Sequence, residues 1–293
     1  MVKKLRKSIF DIVSEKTDIK SEIHRIIYVA KIEKNLCIDG YSYITIFNFV
    51  NEYCFHEWTH RGHYIHVDDL LKTLDFEGLI KKAETDVQAL LTFIELVYNF
   101  WYLAYRKFDD KEKGFQLQWC GNFYHLKDIM DDILEQYNHI VYTNEDNDCV
   151  LVVEDKREVT AVAEILPEKL AFDTIKYNHK LLQGDIELKK SILISLGAEL
   201  EPRRKELKNL NNQLSEDIFF MLNSINIRHN NRSKKDKSKY KECVAKMTKK
   251  QLEKWYDELY QMILLAFLLL DNVDRTKKVK ELKDKIVGGN GNG

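Results

Sequence analysis

Chain-breaking residues are nearly absent. Across 293 residues there are 2 Pro and 11 Gly, and four of those glycines fall in the terminal Gly288-Gly289-Asn290-Gly291-Asn292-Gly293. A sandwich or barrel needs turn residues every ten residues or so, and a collagen-like or disordered chain needs far more Gly and Pro than this. The sequence therefore predicts a mostly α fold made of helical bundles. The abundance of large apolar side chains, with Tyr 15, Phe 14 and Trp 4, supplies enough surface for one large core or two small ones.

The hydrophobic period agrees. Positions 2 to 35 and 40 to 58 read as amphipathic helices, the first carrying Ile9, Ile12 and Val13 and then Ile23, Ile26, Ile27 and Ala30 at spacings of three or four. From Phe76 to Phe108 one apolar stripe continues without interruption and predicts a single helix of about 50 Å as the spine of an N-terminal bundle. A shorter helix is expected from about Phe123 to Tyr137. Two β-branched runs, His139 to Asn144 and Cys149 to Glu154, flank a polar turn and predict one small hairpin over 139–154. That hairpin marks a division into an N-terminal sensor or regulatory bundle, 1–155, and a C-terminal helical domain, 156–293.

In the second half, a helix is expected over 156–182, then a break at Gly184. Asp185 is the N-cap of the next helix, with Glu187 in its first turn. A helix from Ser215 to Ile225 follows, and Thr248-x-x-Gln251 is a capping box opening the final core helix. The longest apolar run, Met262 to Leu270, is less than half of the ~20 residues a spanning helix needs. No membrane association is expected. The N-terminus is basic but continues as Ser8-Ile9-Phe10-Asp11, so no secretory signal is expected either. Cys37, Cys54, Cys120, Cys149 and Cys243 are odd in number and show no paired spacing, which predicts reduced thiols and a cytoplasmic location.

Charge is concentrated rather than excessive. The whole chain carries a net −1, yet Arg228 to Lys254 holds eleven basic residues against Asp236, Glu242 and Glu253. A cationic loop, 228–250, on an otherwise acidic chain is the footprint of a phosphate-bearing partner, or else a solvated segment whose lysines serve solubility. Beside it, Asn223, Asn226, Arg228, His229, Asn230 and Asn231 crowd one helix end. Arg forks two phosphate oxygens and His moves a proton near neutral pH. Metal-free RNA cleavage needs a base, an acid and a cation for the crowded phosphate. Helix capping accounts for one or two of these residues. Arg228 and His229 are the candidate catalytic pair. Asn223, Asn226, Asn230, Asn231, Arg232, Lys234, Lys235 and Lys237 are the candidate substrate contacts. His179, Tyr256 and Asp257 are supporting groups, the last two placed to orient His229 if the final helix starts near the loop. Arg228 and His229 are expected to face a concave polar surface, while the loop after Arg228 is expected to be exposed and mobile.

An Arg-polar pair at a helix–loop junction, within a compact helical domain closed by a long helix, resembles the HEPN superfamily of prokaryotic abortive-infection proteins, toxins and CRISPR-associated ribonucleases. The resemblance covers roughly residues 156 to 287. It implies an anti-phage protein that acts on RNA as a metal-independent endoribonuclease without a cofactor. It further implies a homodimer that brings two motifs together, and a regulatory partner or phage trigger. Arg228 matches the Arg of the motif and His229 the polar position. The second His of the motif is absent, since no histidine follows His229. Either His229 or His179 then moves the proton, or the domain keeps binding without catalysis, as a helical module for nucleic acid or an acidic protein. His56, Glu57, His60, His63 and His66 have helix-like spacing for a metal, but Gly62 interrupts them and Trp58, Tyr64 and Ile65 point to packing, so no metal is expected.

Overall fold

The computed structural model describes residues 18–109, 114, 116–144, 148–235 and 237–288. The predicted helical residues Ile9, Ile12 and Val13, the hairpin turn 145–147, Asp236 and the tail beyond 288 lie outside them. The protein is mostly α-helical with two small antiparallel sheets, and it divides into two compact units, Met1–Val152 and Val153–Gly293.

In the N-terminal unit, α1 (Ile19–Ile27) starts at Asp18, whose carboxylate accepts the Ser21 amide, and runs on as a π-helical turn, Tyr28–Ile32. The helix expected over 40–58 is instead a strand followed by a helix. β1 (Leu36–Ile38) and β2 (Ser42–Ile44) form a hairpin that pairs Leu36 with Ile44 and Ile38 with Ser42. The turn between them places Asp39 at φ 53° and Gly40 at φ 79°, the left-handed region where Asp and Gly are tolerated. Then come α2 (Ile46–Phe49), a π turn (Val50–Cys54), a 3-10 turn (Thr59–Arg61) and α3 (Val67–Thr73).

The predicted spine is two helices, α4 (Phe76–Ala83) and α5 (Val87–Asp109), packed against each other. Asp86 makes the break: its Oδ1 accepts the amides of Gln88 at 2.7 Å and Ala89 at 3.0 Å, restarting the helix. By length and composition α5 is long and apolar enough to cross a membrane, and 67% of its most apolar window is buried within the protein, where Phe93, Ile94, Val97 and Phe100 build the core. β3 (Leu117–Trp119) completes a three-stranded sheet, order β2-β1-β3. The helix α6 (Phe123–Gln136) leads into the predicted hairpin, β4 (His139–Asn144) and β5 (Cys149–Glu154). α5 finishes the side of β5 that β4 does not use. Asn99 Oδ1 accepts the Val150 amide and its Nδ2 donates to the Val150 carbonyl, both at 2.9 Å, while Glu95 accepts the Val152 amide at 2.6 Å.

In the C-terminal unit, the helix expected over 156–182 is broken by Pro167 into α7 (Arg157–Ala163) and α8 (Glu168–Lys176), with a 3-10 turn at Lys180–Leu182. Next are α9 (Ile186–Leu200), a 3-10 turn (Glu201–Arg203), α10 (Arg204–Leu210) and α11 (Asn212–Ser224). The short α12 (Glu242–Ala245) precedes α13 (Lys249–Gly288), 40 residues and about 60 Å long. The capping box opens α13 as its sequence dictates: the Gln251 amide donates to Thr248 Oγ1 at 3.2 Å, and the Thr248 amide to Gln251 Oε1 at 2.9 Å. Its buried side, Leu252, Tyr256, Leu259, Tyr260, Ile263 and Leu270, meets Leu193, Leu196, Leu207, Ile218 and Leu222 from α9 to α11.

Candidate nucleic-acid interface

The site begins where α11 stops. Asn226 takes a left-handed conformation, φ 67°, and turns the chain so that the Arg228 amide closes on the Leu222 carbonyl at 2.9 Å. Ile225 and Ile227 are buried on either side of that turn and anchor it in the core. The loop beyond is built around Asn231, which is 1% exposed. Its Oδ1 accepts the Asn226 amide at 2.8 Å, its Nδ2 donates to the Lys239 carbonyl at 2.7 Å, and its own carbonyl accepts the Lys241 amide at 2.8 Å. Asn230 accepts the Ser233 amide and the Ser233 hydroxyl accepts the Lys235 amide, at 3.1 and 3.3 Å. The loop thus has an internal frame.

That frame changes the roles expected of several residues. Asn231, expected to grip a ligand, is buried and uses both its amide oxygen and its amide nitrogen to hold the loop. Asn223 donates to the Phe219 carbonyl of its own helix at 2.7 Å. Arg228 turns away from the loop: Nη1 meets Glu201 at 2.7 Å, Nη2 donates to the Gly197 carbonyl at 3.1 Å, and the guanidinium lies 5.6 Å from the Phe219 ring. It closes the C-terminal end of α9, where a cation and donor are favoured. Gly197 leaves room for this approach, since a Cβ there would stand 3.3 Å from Arg228 Nη2 and 2.9 Å from Leu222. His229 is half-buried, and its ring has no hydrogen-bond partner among the described residues.

Tyr256 and Asp257 do not orient His229. Tyr256 is buried, which pushes its phenol up to about 12, and donates to the Asn226 carbonyl at 3.3 Å. Asp257 accepts from Lys189 at 2.8 Å and from Tyr177 at 3.1 Å. Lys189 also meets Glu253 at 2.9 Å and lies 5.1 Å above the Tyr177 ring, itself stacked on Tyr260 at 4.0 Å. Burial raises the Tyr177 hydroxyl, and the Asp257 carboxylate raises it further, so it stays a donor. His179 is buried just before the Lys180–Leu182 turn.

A concave surface does exist beside the loop, with a different cast. A cleft of about 350 Å³ is lined by Gly184, Asp185, Ile186 and Glu187 at the start of α9, Asn226 and Arg232 of the loop, and Lys249 of α13. Asp185 caps α9 through the Leu188 amide at 3.0 Å, and Gly184, at φ 80°, donates to Glu253 at 2.7 Å. Arg232 donates to the Met247 carbonyl at 3.2 Å, which holds its guanidinium at the cleft wall. Two cations and two carboxylates share the rim. Lys249 and the α9 start were missed from the sequence, although the Gly184-Asp185 helix start and the capping box ahead of Lys249 both marked helix N-termini there. The lysines of the loop point outward. Lys234, Lys235, Lys237, Lys239 and Lys241 meet no carboxylate among the described residues, and Lys234 lies 5.9 Å from the Tyr240 ring.

If Asn231 holds the loop, Asn231→Ala is expected to cost about 1–3 kcal/mol locally by stranding two buried backbone groups. Hydrogen exchange should then quicken over residues 226–241 while α9 and α11 keep their protection; unchanged exchange would remove Asn231 from that role.

Elsewhere, His56 meets Glu57 at 3.4 Å and Glu57 meets Lys107 at 3.1 Å, and no group of three or more His, Cys, Asp or Glu is placed to hold a metal among the described residues. A smaller cleft of about 180 Å³ in the N-terminal unit is lined by Cys54, Glu57, Trp58, Arg106, Lys107 and Asp148. Burial pushes the Cys54 thiol up to about 12, so it is protonated at neutral pH and a poor nucleophile.

Fold and site together define a two-unit helical protein whose second unit frames a cationic loop over a helix start. No protein-family model matches the chain, and no curated protein or solved structure matches it.

Proposed function

We propose that the C-terminal unit binds single-stranded RNA through the lysines of loop 228–250 and the adjoining cleft, within a cytoplasmic anti-phage protein of the abortive-infection kind. The observation that carries this reading is the division of labour in the loop. Asn226, Asn230, Asn231 and Ser233 close its internal hydrogen bonds, and the lysine side chains are left to solvent without carboxylate partners among the described residues. A framed set of ammonium groups meets a flexible polyanion with less entropy to lose than a loose one. In the cleft, Arg232 and Lys249 suit phosphate oxygens, Asp185 and Glu187 suit sugar hydroxyls or exocyclic amines, and about 350 Å³ accommodates one nucleotide.

A second reading, metal-independent cleavage of the bound RNA, is favoured by the His229 ring, which is half-buried and unengaged among the described residues. In that reading Arg232 rather than Arg228 supplies the cation, because Arg228 is fastened to Glu201 and the end of α9. Fluorescence anisotropy with a labelled single-stranded RNA, combined with a cleavage assay with and without chelator, separates the two. His229→Ala is expected to abolish any chelator-resistant cleavage and leave affinity within about twofold, because imidazole moves protons while lysines supply phosphate attraction. RNA bound and never cut leaves the binding module; RNA neither bound nor cut refutes both readings and directs the loop to an acidic protein.

A further inference from the structure

Among the described residues, the last part of α13 has no apolar packing that explains its sequence. From Arg275 to Ile286 every residue is exposed, a projecting rod of about 18 Å. A helix this short is marginal in water by itself. Yet Val279, Leu282 and Ile286 are 49%, 56% and 59% exposed and follow at spacings of three and four. The row continues back along the helix through Leu268 to Leu265, itself 47% exposed, on the side opposite the buried Leu252, Leu259, Ile263 and Leu270. The positions repeat every seven residues: Leu265, Asn272, Val279 and Ile286 form one column, and Leu268, Arg275 and Leu282 the other. That is the seam of a two-helix coiled coil.

We propose that this seam is occupied by a second copy of the same chain, laid antiparallel, with the two-fold axis level with the Val273–Asp274 peptide bond. In this register Leu265 faces the partner's Leu282, Leu268 faces the partner's Val279, and Asn272 faces the partner's Arg275. Apolar meets apolar in the Leu265 and Leu268 layers and amide meets guanidinium in the central one, while Ile286 lies beyond the matched layers, opposite the partner's Gln261. The flanking charges select the same register. Asp271 comes beside the partner's Lys278, twice by symmetry, and Asp271 already binds Arg275 of its own helix. A parallel pair would instead set Lys278 against the partner's Lys283 and Arg275 against itself, repulsive in both places. The contact is isologous and therefore closes at two copies. It needs no RNA and is independent of the proposed RNA reading.

Light scattering of the full chain at micromolar concentration tests it. Twice the 34.8 kDa chain mass is expected. Leu282→Asp and Leu265→Asp change exposed residues, so the far-ultraviolet circular dichroism of the bundle should persist while the mass falls to that of one chain. Lys278→Glu should weaken association about tenfold, and adding Asp271→Lys should restore it. A wild-type monomer overturns the proposal. So does a dimer indifferent to both leucine substitutions, since it uses another face, and so does tighter association of Lys278→Glu, which indicates a parallel pair. A monomer that binds phosphatidylserine vesicles through the same leucines gives the seam to a lipid surface instead.

Discussion

Lys189→Met is expected to lower the stability of the C-terminal unit by about 2–4 kcal/mol, below the full cost of breaking a buried ion pair because Asp257 is half in water. The methionine keeps the apolar stem of the lysine and removes only the cation. Glu253 and Asp257, one turn apart on α13, are then left facing each other with their shared partner gone. Urea unfolding followed by circular dichroism reads the loss. Replacing all three groups at once, Lys189→Met with Glu253→Gln and Asp257→Asn, should recover most of it, because an uncompensated charge costs more than an absent pair. A single Met variant within about half a kcal/mol of the wild type would show that the triad does not hold α9 to α13. The pH dependence has a defined sign. Burial pushes the Glu253 carboxyl up, but the Gly184 amide and the Lys189 ammonium outweigh it and hold it below its ordinary value of 4.5. The unfolded chain therefore takes up this proton first as pH falls. The contribution is fully present above pH 4.5 and is lost below it, as pH falls through the folded value. Wild-type stability should fall more steeply there than that of Glu253→Gln; parallel curves would contradict it.

Replacing Lys234, Lys235, Lys237 and Lys239 together by Ala is expected to remove most RNA affinity at physiological salt and to flatten its salt dependence. Every single-strand phosphate that the protein no longer neutralises lowers the log–log slope by roughly 0.7, so four fewer lower it by up to about 3. The fold should be unaffected, since all four side chains are exposed and the hydrogen bonds of the loop run through Asn230, Asn231, Ser233 and backbone groups. Unchanged affinity would move the binding surface off this loop. A lower affinity with an unchanged slope would mean that the lysines shape the loop rather than touch phosphate. Neither result bears on the α13 seam, which lies on another segment.

Helices whose ends carry their own capping chemistry were legible from residues alone: Asp185 opening α9, Thr248 and Gln251 opening α13, and the β-branched runs of the 139–154 hairpin. Breaks within long apolar stripes were not, because periodicity reports which face is buried and is blind to a change of axis. Thr85-Asp86 and Pro167 carried the missing information, as did Asp39-Gly40 for the first hairpin, whose strands of three residues are too short to show alternation. At the candidate site, composition located the loop but could not divide its polar residues between frame and surface. Asn231 and Lys235 differ in what they do because one amide is enclosed by its own backbone and one ammonium is not, a distinction made only by the path of the chain. Lys189 was the most readable omission. It interrupts the apolar row Ile186, Ile192, Leu193 and Leu196 of α9, and a cation in such a row requires carboxylates opposite, which Glu253 and Asp257 provide.

The way α5 completes β5 bears on the behaviour of the protein at high concentration. A strand with free amides and carbonyls along one side is a template on which a strand from another molecule can add, and such addition propagates into aggregates. Here two side chains of a buried helix answer the Val150 and Val152 groups in advance, so strand addition at that position would have to displace Asn99 and Glu95 first. Asn99→Leu would strand the buried Val150 amide and carbonyl, and Glu95→Leu the Val152 amide, so that whenever α5 lifts away the edge of β5 would stand open to a strand from another molecule.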